Sequence, residues 1–482
     1  MKRIVRTRCQ GQDSAPLAGS TRGERTPGCA RVRGRLLPNA YPVEQETISM
    51  RVTFGRMTGG LIGKTAMALV LAAGGLAVGA TGAVAKEKEQ KVAKATNSPE
   101  FGKAAQTLQK PIADVTASKD KAAAQALIPQ LAAIEASVKT PLDRIIYGQW
   151  QQQIGAAAGD STLQQKGLQN MVDSGQLGDK ATLVAYYLGM TAYQNKDYAT
   201  ASKVLGPLVA ANYNDDTAAE VLADSFAQQG QAPQALEALK GAVAARKAAN
   251  GTVPEGWFKR ANLIAYKNKL APQAIEWSTM MVENDPTPLN WLGAGQLVRE
   301  FGQFTSQESL DLGRLLLRAG GFQNDPKYVE REYVEYIESA DPRRLPGEVL
   351  KVADKGVKAG VLKANDPFVL DAMTQAKGRI AADKASLPAL DREARAGKDG
   401  KSALAMADAY LSYDEAPKAE EMYKMALTKG GIDKDRALTR LGIAQIDQSK
   451  FEDAKATFAQ VGGTRAPLAR LWLAFANTQA RP

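Results

Sequence analysis

The stretch YYLGMTAYQNKDYATASKVLGPL, residues 186 to 208, reads as two short helices joined by a tight turn. Leu188 and Gly189 set a large and a small residue side by side on the first helix, and Asp197 and Tyr198 mark the turn. Ala201 and Leu205 repeat the small and large pairing on the second helix. Small residues let two helices cross closely, and large neighbours fill the space beside the crossing. The surrounding sequence repeats this arrangement. Ile154-Gly155, Leu188-Gly189 and Leu222-Ala223 are spaced 34 residues apart, as are Gly167, Ala201 and Ala235. Two independent markers sharing one period predict stacked helical hairpins between residues 140 and 251.

With those residues in place, the unit resembles the tetratricopeptide repeat. The next unit, residues 219 to 242, carries Leu222, Ala223, Phe226, Gly230, Ala235, Leu239 and Ala242 at matching places. A third is displaced by an insertion near residues 250 to 253 and supplies Ala274 and Pro286. Two more lie toward the C-terminus, one with Met406, Ala407, Tyr410, Ala419, Tyr423 and Ala426, the other with Leu441, Gly442, Phe451, Ala454 and Phe458. Residues 467 to 478, with Leu471, Trp472 and Phe475, read as the closing cap of the array. The expected fold is all-α, an α-solenoid of stacked helix-turn-helix hairpins.

Upstream of the repeats, residues 50 to 85 resemble a secretory signal peptide. Arg51, Arg56 and Lys64 form its basic start, residues 65 to 78 its apolar stretch, and Ala83-Val84-Ala85 its small-x-small cleavage site. Cleavage after Ala85 implies a periplasmic protein. Retention of the leader implies an inner-membrane anchor, since residues 65 to 85 are long enough to span a bilayer. Residues 1 to 49, Arg-rich and without period, are expected to be disordered or to lie before the true start at Met50 or Met57. Residues 59 to 65 come close to a phosphate-binding loop, but Thr58 stands where its first glycine belongs. The expected divisions are therefore 1–49, a leader at 50–85, a charged linker at 86–98, an N-terminal array at 99–286, divergent helical hairpins at 287–396 and a C-terminal pair with its cap at 397–482.

Within the body, Pro99 is expected to open a helix ending near Pro111, and Thr140 with Pro141 to cap another. Four Asp-Pro pairs, at Asp285, Asp325, Asp341 and Asp366, are expected to begin helices, because Asp accepts bonds from free N–H groups and Pro gives up none that a helix start needs.

The formal charge of +11 suggests nucleic acid until it is divided along the chain. Residues 1 to 85 hold 12 of the 62 Lys and Arg but only 4 of the 51 Asp and Glu, which leaves a nearly neutral body. Nucleic acid is therefore not an expected partner. The chain has no His, and both cysteines, Cys9 and Cys29, precede the leader. That removes Ser-His and Cys-His nucleophile pairs and zinc sites built on imidazole or thiolate from the body. No cofactor, metal or catalytic residue is expected.

The tetratricopeptide resemblance implies a groove lined by the first helix of each hairpin, gripping a protein or peptide. Carried over, the lining is Tyr186, Met190, Tyr193 and Gln194, then Glu220, Asp224 and Gln228, then Lys259, Leu263, Tyr266 and Lys267. The last two units supply Leu404, Asp408, Leu411, Thr439, Ile443 and Asp447. The first two units lack the Lys and Asn with which some members grip a terminal carboxylate; aromatics beside polar groups suit a mixed protein surface. One run, residues 328 to 338, holds Glu330, Glu332, Glu335 and Glu338 and raises the alternative of a wall-glycan enzyme or binder, since paired carboxylates hydrolyse glycosides. Helical spacing sets Val329, Tyr333, Tyr336 and Ile337 on one side, so the acids are expected on a solvated face. The expected function is a non-catalytic periplasmic scaffold for protein interaction, the other alternative being a membrane-tethered assembly factor.

Overall fold

The computed structural model describes residues 96 to 480 apart from 214 and 303, so the leader and residues 1 to 49 lie outside the described residues. These residues form twenty α-helices packed as consecutive hairpins, an all-α architecture. The first four helices are α1 (Pro99–Ser118), α2 (Lys121–Ala133), α3 (Pro141–Ala158) and α4 (Ser161–Asp173). The clear N-terminal repeats follow as α5 (Ala181–Gln194) with α6 (Tyr198–Ala210), α7 (Asp216–Gln228) with α8 (Ala232–Ala248), and α9 (Glu255–Lys267) with α10 (Ala271–Asn284). Among the described residues no helix is long and apolar enough to cross a membrane.

Close crossings hold each hairpin together. A Cβ on Gly189 would meet Leu205 Cγ at 2.5 Å, so only hydrogen leaves room for the leucine. Ala201, Ala235 and Ala274 are fully buried at the matching places on α6, α8 and α10. Ala235→Arg should therefore unfold or strongly destabilise the array, by several kcal/mol, because it places a charge at a dry crossing. A melt monitored by circular dichroism that coincides with that of the parent would remove the register.

The N-terminal end is tied by one carboxylate. Thr140 and Asp143 form a capping box at α3: Thr140 Oγ1 accepts from Asp143 N at 3.1 Å, and Asp143 accepts from Thr140 N at 2.9 Å. The buried Asp143 also accepts from Lys139 N at 3.0 Å, Ser98 N at 3.1 Å and Ser98 Oγ at 2.8 Å. Burial alone would push this carboxyl up, but these bonds together hold it below its ordinary value. Ser98, read as the end of a charged linker, is thus the buried N-cap of α1.

Some sequence expectations are corrected here. Helix α1 continues through Pro111 to Ser118, because Leu108, Ile112 and Val115 keep one buried stripe across the proline. Asp325 and Asp366 do cap α13 (Pro326–Ala340) and α15 (Pro367–Ala396). Asp285 and Asp341 instead end the helices before them. Their prolines lie in the connections, and the next helices start at Pro288 and Pro346.

The poorly matching segment contains two further hairpins, α11 (Pro288–Gly302) with α12 (Ser306–Arg318) and α13 with α14 (Pro346–Lys358), then the long single α15. The C-terminal repeats are α16 (Lys401–Ser412) with α17 (Ala416–Lys429) and α18 (Lys434–Ile446) with α19 (Phe451–Phe458). Gly442 lies under Phe458 as Gly189 lies under Leu205, which confirms one register in both blocks.

The last helix, α20 (Ala466–Gln479), does more than cap. It packs on α19 and also on α10, α11 and α12, so the C-terminal half closes on its own beginning. Phe475 meets Trp291 edge to face with ring centroids 5.8 Å apart, and Asn477 Nδ2 donates to Glu283 Oε1 at 3.1 Å. A single apolar core consequently runs from Ile275 to Ala476. Packing of α20 against three earlier helices was invisible to a pattern that compares only neighbouring repeats.

Candidate functional site

Helices α5, α7 and α9 stand in succession as the first helices of three hairpins, and a polar ladder crosses them. Tyr193 OH on α5 donates to Asp224 Oδ2 on α7 at 3.2 Å, and Asp224 Oδ1 pairs with Arg260 Nη1 on α9 at 3.2 Å. One helical repeat separates each rung, so the ladder exists only when adjacent hairpins are stacked in register. Burial raises the Asp224 carboxyl above its ordinary value although Arg260 pulls the other way. Beside it, burial raises Glu220, again opposed by Arg260. Tyr193 is pushed up first by burial and then by the charge of Asp224, so its phenol stays a donor.

Nearer the start of α5, Tyr186 OH donates to Asp215 Oδ2 at 2.9 Å, and its ring lies 5.3 Å from that of Tyr213. Tyr186 and Tyr193 are half-buried, whereas Gln194, Gln228 and Lys267 are exposed. Tyr266 is 37% exposed and rests edge-on against Phe301 at 5.9 Å. Lys259 pairs with Glu255 one turn away at 3.2 Å, and Leu263 is half-buried. Met190, expected to line the groove, is only 7% exposed and belongs to the core shared by these hairpins. Arg260 was missed by sequence reasoning, which took its neighbour Lys259; only the opposing Asp224 identifies it.

The corresponding face of the C-terminal hairpins is not a groove. Thr439 and Ile443 are fully buried, Leu404 and Leu411 nearly so, and Asp408 lies inside a network of charges. Asp311 on α12 is its centre: it accepts from Arg440 Nε at 3.0 Å, Arg465 Nη1 at 2.8 Å and Arg314 Nη1 at 2.9 Å. Arg314 reaches Glu348 through Nε at 2.7 Å and Nη2 at 2.6 Å, and Tyr336 OH donates to the same carboxylate at 2.7 Å. Arg440 Nη1 reaches Asp408 at 2.6 Å, and Tyr423 OH donates to it at 2.8 Å. Asp447 is taken by Arg318, Nε to Oδ1, at 2.7 Å. Arg440 of α18, bound to Asp311 on α12 and Asp408 on α16, and Arg318 of α12, bound to Asp447, occupy this face, which is why the carried-over lining fails here.

The acidic run is corrected as well. Glu330 and Glu338 on α13 are exposed, but Glu332 is buried. Arg299 of α11 holds it bidentately, Nη1 at 2.6 Å and Nη2 at 2.7 Å, while Nη1 also binds Glu335 Oε2 at 2.8 Å. Ser309 Oγ donates to the remaining Glu335 oxygen at 2.8 Å. These two carboxylates converge on one guanidinium.

No family model matches the sequence, and no curated protein does. Among solved structures, the TPR2AB-domain:pHSP90 complex of yeast Sti1 is 16% identical over 62% of this chain and 100% of that one, with a TM-score of 0.22. Naa15/Naa10 bound to HypK-THB gives 12% identity over 76% of this chain and 67% of that one, with a TM-score of 0.27. The C-terminal part of a TPR repeat-containing protein from Cytophaga hutchinsonii gives 14% over 53% and 99%, with a TM-score of 0.19. The repeat architecture of this chain is carried by the packing described above and not by these similarities.

Proposed function

We propose that the chain is a non-catalytic scaffold that holds a protein partner along the first-helix face of α5, α7 and α9. The observation that carries this reading is the Tyr193, Asp224 and Arg260 ladder, which fixes three adjacent hairpins in register while Gln194, Gln228 and Lys267 remain exposed. A rigid row of half-buried aromatics rimmed by exposed polar side chains is the composition of a protein interface. The saturated Glu332 and Glu335 pair removes the motive for a glycosidase. In the same reading the protein works in the periplasm after cleavage behind Ala85.

A photo-crosslinking residue placed at Gln194, Gln228 or Lys267 tests this face in cells. One partner is expected at all three sites and at neither Lys203 nor Glu237, exposed positions on the second helices α6 and α8. Mass spectrometry of the crosslinked species should find Lys86 as its first residue. Crosslinks shared equally by both sets of sites would remove the face, and peptides from the leader would remove the cleavage.

A further inference from the structure

Where α14, α16 and α18 begin, a cavity of about 590 Å³ opens, lined by Arg344, Lys401, Arg436, Leu345, Leu404 and Asp408 among others. Small-molecule sites commonly fall between about 300 and 1,000 Å³. Its charges are unevenly spent. Asp408 is already satisfied by Arg440 at 2.6 Å, Tyr423 at 2.8 Å and Arg436. Asp433, the other acid on the wall, caps α18 by accepting from Arg436 N at 2.9 Å. The basic groups are not consumed. Arg344 and Lys401 are exposed and lie in no ion pair among the described residues. Arg436 spends one side-chain bond, on Asp408, out of five guanidinium donors, and its buried Nε has no acceptor among the described residues. Gly400 at the N-cap of α16 brings no side chain, and Asp399 accepts from Lys401 N there at 2.9 Å. Unspent donors and positive charge thus face a wall completed by Leu345, Leu404 and Ile432.

We propose that this cavity binds the oxyanion head of a small amphiphile, a phosphoryl or carboxyl group on a short apolar body. Arg344, Lys401 and Arg436 take the oxygens, because guanidinium and ammonium donors bind such heads with charge-assisted bonds. Leu345, Leu404 and Ile432 take the body.

Calorimetric titration of the full chain with hexyl phosphate, hexanoate, inorganic phosphate and hexylammonium tests it. Saturable binding is expected for one or both hexyl anions, and the tighter of the two identifies the head. Inorganic phosphate should bind more weakly and hexylammonium not at all. Arg344→Ala combined with Lys401→Ala changes two exposed side chains that break no ion pair, and should cost about tenfold or more in affinity. Arg343→Ala, whose guanidinium is engaged by Asp341, should leave affinity unchanged. The proposal is overturned by no saturable binding of either hexyl anion, by equal binding of hexylammonium or inorganic phosphate, or by unchanged affinity in a double variant whose circular dichroism matches the parent.

Discussion

Asp311→Ala is expected to destabilise the C-terminal half by about 3–5 kcal/mol, because it leaves buried cations without their shared counter-charge. Arg440 and Arg314 are 0% and 1% exposed at the side chain and Arg465 is 2%, so water cannot replace the lost carboxylate. Urea unfolding of the variant measures this; a midpoint within error of the parent would show that the guanidinium groups find other partners. The same network gives a signed pH dependence. Burial by itself would raise Asp311, Glu348 and Asp408, yet the surrounding arginines hold all three below their ordinary values. Glu420 is likewise pushed up by burial but drawn down to about 2 by Lys424, Lys450 and Gln448. Each of these groups binds its proton more readily in the unfolded chain. Their stabilisation is therefore complete above the unfolded values, about 3.9 for Asp and 4.3 for Glu, and is lost as pH falls through that range toward the folded values. Unfolding free energy should fall steeply below pH about 4.5, and less steeply in Asp311→Asn.

This network also explains where sequence reading stopped. Gly189, Ala201, Ala235 and Gly442 were legible because a helix crossing demands a small residue at a fixed place, and each unit meets the demand locally. Asp311 and Arg440 are 129 positions apart, and nothing in the sequence around either predicts the other. Both read as polar positions on amphipathic helices, and only closure of the stack makes them interior. The N-terminal face was partly legible for the same reason in reverse. There the stack stays unclosed along α5, α7 and α9, so positions transferred from the repeat pattern, Tyr193 and Asp224, do meet across hairpins. Met190 went to the core because its face of α5 turns toward α6 and α7. The acids of α13 were misplaced because amphipathic spacing separates faces but cannot show that a second helix, α11, brings Arg299 to the polar one.

Closure itself carries the second large expected effect. If α20 were only an end cap, losing its apolar side chains would loosen α18 and α19 and leave α11 untouched. Phe475 instead lies against both Trp472, centroids 6.0 Å apart, and Trp291, 5.8 Å apart, so it joins the last helix to one that begins the closed half. Trp291→Ala and Phe475→Ala should each cost about 3–5 kcal/mol as large truncations in a packed core. Because the rings touch, the double variant should cost less than the sum, with a coupling of about 0.5–1.5 kcal/mol. Hydrogen exchange distinguishes this from simple fraying: Phe475→Ala should raise exchange in α11 and α12 as well as in α18 and α19, while α1 to α7 keep the parent's protection. Additive costs, or exchange confined to the last three helices, would mean that the closed half unzips from its end and that its polar centre is held by the arginines alone.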